Sequence, residues 1–499
     1  MNAEEMHDRA VLRRIARRAM LERNLLPDFS DEVADELRHI ARQAVEPEAL
    51  DLRHLLWASI DNDDSLDLDQ LTVAEELPNG RVKVLVAIAD VDALVVQGSA
   101  IDGHAEQNTT SVYTAAQIFP MLPEALSTDL TSLNPDGERP AMVVEMVVEP
   151  DGSPENHGRV YRARVFNHAK LAYNSVAAWL EGDGPEPEPI TRVPGLAENL
   201  RLQDRTAQTM KRLRERRGAL NLETIEARPV FVDDKVSELR REERNRAKDI
   251  IEDFMIAANQ VTAEFLAEND SPSIRRVVRE PRRWNRIVEL AAEHDFELPG
   301  EPDPRALERF LTKEKAEDPQ RFPDLSLSVI KLLGPGEYMA EPVGGLAPGH
   351  FGLAAKDYGH STAPNRRYTD LITQRLLKAV LDGHKPPYSM IELEMLATHC
   401  TQQEDNANKV ERQVAKSAAA LLLQDHVGHV YEGFVTGASD KGTWVLLLAV
   451  PVEGRLVQGY RGVDVGDRVE VRLLLVDVEK GFIDFVLVHR LPRRSQQPR

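Results

Sequence analysis

The chain has 499 residues, of which 42% are hydrophobic and 29% are charged. This length exceeds one ordinary hydrophobic core, so we expect about two to four domains, and the composition excludes a chain that is disordered throughout. The formal net charge of −21 argues against a protein that binds nucleic acid through its bulk charge, although a local basic channel is compatible with it.

The sequence contains no apolar run near the roughly 20 residues that a membrane-spanning helix needs. No apolar stretch follows the charged N-terminal segment, so we expect neither a secretory signal nor a membrane partner. The single cysteine, Cys400, cannot form an internal disulfide, which suits a reducing cytoplasm. We predict that Cys400 is a small buried residue on a helix rather than a catalytic nucleophile.

Residues 1–50 predict two short helices, which Pro27 separates. Apolar residues recur every four positions in each half, at Val11, Ile15 and Ala19 and at Val33, Leu37 and Ala41. Ser30 is a suitable N-cap for the second helix, because acidic residues follow it in the first turn. Two helices cannot bury both apolar stripes alone, so we expect a small helical module that packs against a larger domain. A helix-turn-helix is one form that this module could take.

After residue 50, the sequence first shows both strand and helix patterns and then, near its end, strand patterns alone. Strands are predicted over 81–91 and 141–152, and residues 158–173 predict a further strand that enters a helix. A surface loop is predicted over 181–195, and helices over 196–217, 247–269 and near 365–382 and 391–424. Residues 429–460 and 465–488 predict about five short strands with glycine turns, which is the pattern of a small closed barrel.

Basic residues cluster at four places despite the acidic balance, within residues 13–18, 211–217, 275–286 and 490–499. Such a cluster is more often a solvated face than a binding site. The third cluster also contains Trp284, and an aromatic residue among arginines slightly favours contact with nucleic acid.

The segment 59–71 holds five aspartates within nine positions, at Asp61, Asp63, Asp64, Asp67 and Asp69. Carboxylates packed this closely repel one another unless a cation neutralises them. Oxygen ligands without histidine or cysteine nearby suit Mg²⁺ or Mn²⁺ better than zinc. The alternatives are a solvated acidic loop or a calcium loop, and the calcium pattern lacks its required glycine.

The spacing I-D-x5-D-x-D resembles the active-site signature of the ribonuclease II family. Three further segments resemble that family in the same order, namely residues 88–142, IIEDFMIAANQ and YGHSTAPNRRYTDLITQRLLKAV, and the C-terminal pattern resembles its S-one type RNA-binding barrel. The resemblance implies an α+β fold, with an RNB catalytic domain built on a mixed sheet packed with helices (51–424) and a five-stranded OB-fold barrel (425–490). The residue pattern adds a helical module (1–50) before them and a basic tail (491–499) after them. We expect helices, rather than the family's usual pair of cold-shock barrels, ahead of the catalytic domain.

The resemblance also implies the catalytic and metal-binding residues. Asp61, Asp67 and Asp69 match three aspartates that hold the catalytic Mg²⁺, with Mn²⁺ as a possible substitute, and Asp69 would also orient the attacking water. The fourth acidic position is Gln70, whose neutral amide would bind a second ion more weakly. Arg366 matches an arginine on the scissile phosphate, and Glu411 matches a glutamate near the leaving nucleotide.

The same comparison implies the residues that contact RNA. Tyr113 matches a tyrosine that stacks on a base near the 3′ end, and Tyr173 and Glu252 fall where the family recognises the ribose and the terminal nucleotide, with Asp253 as the alternative register. Arg367 would form a salt bridge or contact a backbone phosphate. In the barrel, Phe434 and Trp444 lie on predicted strands, and we expect one to stack on RNA and the other to lie in the core.

The implied function is Mg²⁺-dependent 3′→5′ hydrolysis of single-stranded RNA to nucleoside 5′-monophosphates. We expect a monomer that needs no obligate protein partner, with basic N-terminal helices that cover the catalytic domain. Gln70 supports one alternative, a catalytically weak or silent RNA-binding protein of the same fold. Another alternative is a metal-dependent phosphodiesterase that acts on DNA or small nucleotides.

Overall fold

The computed structural model describes residues 8–40, 49–135, 137–155, 157–223, 226–242, 244–319, 321–439, 442–464 and 467–491. The predicted helical module is confirmed as two helices, α1 (Asp8–Glu22) and α2 (Asp31–His39). Ser30 caps α2 as predicted, because its hydroxyl accepts a hydrogen bond from the Val33 N–H at 3.4 Å. Ala41 and the basic tail beyond Leu491 lie outside the described residues. No helix in the described part of the chain is both long and apolar enough to span a membrane.

A seven-stranded mixed sheet with the order β1-β8-β7-β4-β3-β2-β9 forms the centre of the largest domain. Its strands and the neighbouring elements are β1 (Leu50–Asp51), β2 (Ala58–Asp61), β3 (Gln70–Glu76), β4 (Val82–Ala89), α3 (Ala100–Asn108), β5 (Val112–Tyr113), β6 (Ile118–Phe119), β7 (Glu138–Val148), β8 (Arg159–Phe166) and β9 (Ala169–Ala172). The continuous apolar sequences of β4 and β7 explain why these paired strands lie mostly buried at the middle of the sheet. The strands β5 and β6 form a separate short hairpin.

Helices and a second hairpin follow the sheet strands, as α4 (Tyr173–Glu181), α5 (Glu188–Thr191), α6 (Leu196–Arg217), β10 (Glu226–Val232), β11 (Lys235–Glu242) and α7 (Arg246–Glu268). Gly218 ends α6 in the left-handed conformation, as predicted. The expected loop over 181–195 instead contains the one-turn helix α5, whose first turn holds Pro189, a position where a missing N–H costs nothing. Met210 of α6 and Phe254 of α7 share the core of the sheet.

A helical subdomain with its own core follows, comprising β12 (Ser273–Val277), α8 (Trp284–Ala292), α9 (Pro304–Glu317), α10 (Phe322–Leu333) and β13 (Glu337–Glu341). Trp284 is only 3% exposed in this core, and its indole N–H donates to the Pro299 carbonyl at 2.8 Å. The arginines around it form ion pairs, including Arg275 with Glu341 and Arg276 with Glu404. Trp284 is therefore a core residue, so it gives no support for contact with nucleic acid at this cluster.

Two long helices, α11 (Tyr368–Leu381) and α12 (Met390–Leu423), lead to a closed barrel of β14 (Val430–Ser439), β15 (Gly442–Leu447), β16 (Glu453–Gln458), β17 (Arg468–Asp477) and β18 (Phe482–Arg490). The mixed α+β fold with a five-stranded barrel is thus confirmed. Cys400 is buried on α12, as predicted. Successive parts of α12 contribute to the sheet core, to a core shared with α1 and to the barrel core. The domain boundaries predicted after residues 50, 424 and 490 stay predictions.

The basic residues of α1 pair within the protein. Arg17 binds Asp28, and both Arg14 and Arg18 bind Glu479 in the turn between β17 and β18. The Arg13 side chain donates to the carbonyl of Ala116, between β5 and β6. These contacts tie α1 to the barrel and to the β5–β6 hairpin, which favours a covering role over a nucleic-acid contact for this cluster.

The buried Glu308 on α9 gives a test of the helical subdomain. Burial raises the pKa of Glu308 to about 7, although the Asn221 N–H and the Thr312 hydroxyl donate to its carboxylate. Because this value exceeds the ordinary one near 4.5, the stabilising contribution of the protonated group is complete below pH 4.5 and is lost as the pH rises through 7. We expect Glu308→Gln to increase stability relative to wild type by about 1–2 kcal/mol at pH 8 and by less at pH 5.

Thermal unfolding at both pH values would measure this difference. Glu317→Gln, a half-exposed position on the same helix, is the control and should change stability little at either pH. An effect of Glu308→Gln that is equal at pH 5 and pH 8 would contradict the raised pKa.

Candidate active site

Asp69 lies immediately before β3, and its carboxylate meets a turn almost 300 positions later in the chain. The residue is only 1% exposed. One carboxylate oxygen accepts from the Asn365 backbone N–H at 3.0 Å, and the other accepts from Nε of Arg366 at 3.1 Å. Burial raises the pKa of Asp69 to about 7, against the opposing effects of Arg366 and the Asn365 N–H, and the negative charge of Asp67 adds to the rise.

Asp61 and Asp67 begin and end the loop that precedes Asp69. Asp61, the last residue of β2, accepts from the Asn62 N–H at 2.7 Å and from the Ser65 hydroxyl at 2.8 Å. Asp67 accepts from the Tyr113 hydroxyl at 3.1 Å. Burial raises the pKa of Asp67, and the charge of Asp61 contributes to the rise, so the two carboxylates are close enough to repel each other.

Other residues of this loop fix its position. Leu68 is buried, and its N–H donates to the Ser132 hydroxyl, which in turn donates to the Leu66 carbonyl. Asp63 and Asp64 lie exposed at the tip. The five aspartates of the sequence cluster therefore separate into a solvated pair and an inward-facing group of three.

The inward-facing group offers oxygen ligands of the kind that Mg²⁺ and Mn²⁺ prefer. Among the described residues, however, no group of three or more His, Cys, Asp or Glu side chains is already arranged around a metal position. Asp69 is engaged by Arg366, whereas Asp61 and Asp67 repel each other across the loop. The three carboxylates thus fit a hard cation by their chemistry. Gln70 begins β3 and is only 7% exposed.

Tyr113 and Glu411 meet beside the acidic loop. The Tyr113 backbone N–H donates to a carboxylate oxygen of Glu411 on α12 at 2.7 Å. The Tyr113 side chain bonds Asp67, yet the residue remains 41% exposed. Glu411 thus ties the β5–β6 hairpin to α12, while Tyr113 stays partly exposed.

Tyr173 lies on the opposite side of Asp61. It follows β9 directly, and Ala172 of that strand is the register partner of Asp61. Burial raises the pKa of Tyr173, and the charge of Asp61 adds to the rise. Lys248 of α7 lies 6.0 Å from the centre of the Tyr173 ring.

Glu252 and Asp253, the two adjacent acids on α7, have different surroundings. Glu252 is partly exposed and pairs with Arg244 at 2.8 Å. Asp253 is buried and pairs with Arg214 of α6, and burial raises its pKa to about 6. Of the two, Glu252 is therefore the accessible carboxylate.

The two adjacent arginines also differ. The Arg366 side chain is 44% exposed although its Nε binds Asp69. Arg367 binds the fully buried Asp370 at 2.7 Å, so the salt bridge expected for Arg367 is present. A phosphate contact by Arg367 stays a prediction.

Phe434 and Trp444 both lie half-buried, and the barrel core consists of other residues. The expectation that one of them is a core residue is wrong, because strand alternation directs the neighbouring Val435 and Val445 inward instead. Trp444 lies close to Gly437 and Gly442, where an added Cβ would approach its ring within 3.3 Å. Trp444 stays the candidate stacking platform.

Asn365 is a site residue that the sequence pattern did not indicate. Its N–H fixes Asp69, and its buried side chain meets the Thr131 hydroxyl at 2.5 Å. Backbone donors leave no side-chain signature in a sequence, so only the position before Arg366 could have indicated this role.

Two protein-family models match this chain. The RNB domain family matches residues 49–383, and the RNase II-type exonuclease C-terminal S1 domain matches residues 429–488. Ribonuclease R of Escherichia coli is 32% identical over 486 residues, and the match covers 89% of this chain and 58% of that protein. The chain therefore spans about three fifths of the length of this curated relative.

Two solved structures share the fold. The apo form of Mycoplasma genitalium RNase R has a TM-score of 0.85 at 22% identity, covering 97% of this chain and 78% of the other. Yeast Ssd1, a pseudonuclease, has a TM-score of 0.68 at 16% identity, covering 89% of this chain and 55% of the other.

The contact between Glu411 and Tyr113 can be tested by hydrogen exchange. A hydrogen bond to a charged acceptor protects an amide strongly, so Glu411→Ala should accelerate exchange of the Tyr113 amide roughly tenfold or more. Glu411→Gln keeps an acceptor and should have a smaller effect. Arg412→Ala, an exposed neighbour on α12, is the control, and equal exchange in all four proteins would contradict the contact.

Proposed function

Because this chain belongs to the RNB-domain family and ends in an RNase II-type S1 domain, we propose that it hydrolyses single-stranded RNA from the 3′ end. Each cycle releases a nucleoside 5′-monophosphate. The observation that carries the proposal is the meeting of Asp69 with the Arg366 turn, beside the inward-facing Asp61 and Asp67.

Asp61 and Asp67 would hold Mg²⁺, with Mn²⁺ as a substitute and Asp69 as a further oxygen donor. Such an ion, when bound, polarises a phosphate and lowers the pKa of a bound water. The positive charge of the bound ion would also offset the repulsion between the inward-facing carboxylates.

Arg366 acts on the scissile phosphate. Asp69 holds Nε of Arg366, which fixes the plane of the guanidinium, and the 44% exposure of the side chain lets its terminal amino groups reach the substrate. A planar donor set of this kind binds two phosphate oxygens and stabilises the charge that develops on them. Asp69 also orients the attacking water, and Glu411 acts near the leaving nucleotide.

The RNA-binding residues surround this centre. The accessible ring of Tyr113 stacks on a base near the 3′ end, while Tyr173 and Glu252 contact the terminal nucleotide and its ribose. Trp444 provides a stacking surface on the barrel, and Arg367 a second phosphate contact. Stacking tolerates any base, which suits an enzyme that must degrade RNA of any sequence. That the chain works as a cytoplasmic monomer without an obligate protein partner stays a prediction.

A silent RNA-binding protein is the second candidate. The neutral Gln70 supports it, and the fold shared with the pseudonuclease Ssd1 is compatible with it. Retention of Asp61, Asp67, Asp69 and Arg366 in one site favours the active form. A phosphodiesterase acting on DNA or small nucleotides is the third alternative.

A 5′-labelled, unstructured RNA of about 30 nucleotides tests these alternatives. We expect a ladder that shortens from the 3′ end for wild type with Mg²⁺, no shortening in EDTA, and a rate at least about 100-fold lower for Asp69→Asn, since that change removes the charge that holds Arg366. Asp63→Asn, at the exposed tip of the same loop, is the control and should keep the wild-type rate.

The other outcomes are distinct. Bound but intact RNA with both Mg²⁺ and Mn²⁺ would establish the silent protein, and degradation of the matching DNA alone would establish the third alternative. Chromatography of the released nucleotides should detect 5′-monophosphates.

Gln70 can be tested separately. A carboxylate binds Mg²⁺ more strongly than a neutral amide, so Gln70→Asp should lower the Mg²⁺ concentration for half-maximal RNA shortening roughly threefold or more. Gln70→Asn keeps the charge neutral and should need at least as much Mg²⁺ as wild type. An unchanged Mg²⁺ requirement in a folded Gln70→Asp variant would place Gln70 outside the ion's ligands.

A further inference from the structure

A cavity of about 660 Å³ lies between α6 and the start of α7. This volume falls within the range of roughly 300–1,000 Å³ that is usual for small-molecule sites. None of the residues assigned above to the catalytic centre lines the cavity. It is lined mainly by polar and charged side chains, so it suits a charged ligand rather than an apolar one.

The lining is strongly cationic for so acidic a chain. Six cationic side chains face three carboxylates around the cavity, and the cations are Arg205, Lys211, Arg212, Arg244, Arg246 and Lys315. Four of them have acidic partners, as in the pair of Lys211 with Asp249 and the pair of Arg246 with Asp204. The positive excess therefore depends on the remaining two arginines.

Arg205 and Arg212 supply that excess. Within the described part of the chain, neither guanidinium has a carboxylate at ion-pair distance, and Arg212 donates instead to the Thr209 hydroxyl at 2.9 Å. Both residues lie on α6 and are exposed, so their donors are available to a ligand. Arginine donors of this kind suit phosphate oxygens, which they can bind in pairs.

The cavity adjoins the residues proposed to bind the terminal nucleotide. Arg244 in its wall pairs with Glu252 at 2.8 Å. Asn245, also in the wall, donates to the side chain of Asn174 at 3.2 Å, and Asn174 follows Tyr173 in α4. One layer of side chains thus separates the cavity from the expected position of the 3′-terminal nucleotide.

We propose that this cavity is a phosphate-binding pocket that receives the released nucleoside 5′-monophosphate. This inference rests on the proposed function for the identity of its ligand. A phosphate monoester carries close to two negative charges at neutral pH, whereas each phosphate within an RNA strand carries one, so the cationic excess favours the released mononucleotide. Arg205 and Arg212 bind its phosphate, and the pocket draws the product away from the catalytic centre.

Equilibrium binding of adenosine 5′-monophosphate to the full chain in EDTA tests the proposal without requiring hydrolysis. Arg205→Gln/Arg212→Gln should weaken binding roughly tenfold or more, because each arginine contributes charge-assisted hydrogen bonds to the phosphate. Arg216→Gln/Arg217→Gln is the matched control, since it removes the same charge from exposed positions on the same helix, outside the cavity. Gln208→Glu, which adds a negative charge to the lining, should also weaken binding and serves as a second variant if the first fails to fold.

Comparison of ligands separates the sources of affinity. Inorganic phosphate should compete with the mononucleotide. Adenosine, which lacks the phosphate, should bind at least roughly tenfold more weakly than adenosine 5′-monophosphate. The proposed pocket would be overturned if the Arg205→Gln/Arg212→Gln variant and its control bound adenosine 5′-monophosphate equally well. It would also be overturned if wild type bound adenosine as tightly as adenosine 5′-monophosphate. If wild type leaves RNA intact but its mononucleotide affinity depends on Arg205 and Arg212, the proposed function fails and the pocket stands.

Discussion

The buried contact between Asp69 and the Asn365–Arg366 turn is the constraint on which the site depends. A carboxylate removed from water must be matched by donors, and here a backbone N–H and a guanidinium supply them. The Asp69 backbone carbonyl also accepts from Ala89 at the end of β4. Asp69 thus connects the acidic loop to the middle of the sheet and to the turn that precedes α11. Removing the donors leaves the buried Asp69 charge unpaired, and removing Asp69 takes away the partner that fixes Nε of the half-exposed Arg366.

The rest of the fold places the residues proposed to contact RNA around this buried contact. The helix α12 runs from the sheet core to the barrel core, and it carries Glu411 at the point where the β5–β6 hairpin approaches Asp67. The helix α1 packs against α12 and joins the barrel through Glu479. A displacement of the barrel would therefore be transmitted to the hairpin that presents Tyr113. The acidic chain needs no overall positive charge for such a site, because its cations are concentrated locally.

Long or strongly patterned elements could be predicted from the sequence. The apolar runs of β4 and β7 and the long helices α6, α7 and α12 correspond to their predicted spans within a few residues, because burial on a sheet or along one helix face dictates their composition. The one-turn helix α5 was not predictable, since a proline-rich acidic stretch is equally suited to a loop. The burial of Trp284 and the half-buried positions of Phe434 and Trp444 could not be predicted, because an aromatic residue can have the same local sequence pattern in a core and on a surface. The aspartates came from motif spacing, whereas the contribution of Asn365 depends on a backbone N–H.

Gln70 is best understood from the electrostatics of its surroundings. Asp69 already has a raised pKa because it is buried and lies near the charge of Asp67. A further carboxylate at position 70, which is also buried, would add negative charge next to Asp69 and Asp67. An amide there avoids this repulsion and still offers an oxygen to a cation. A neutral side chain at this position is therefore compatible with a site that keeps Asp61, Asp67 and Asp69, and it is not by itself a sign that catalysis is absent.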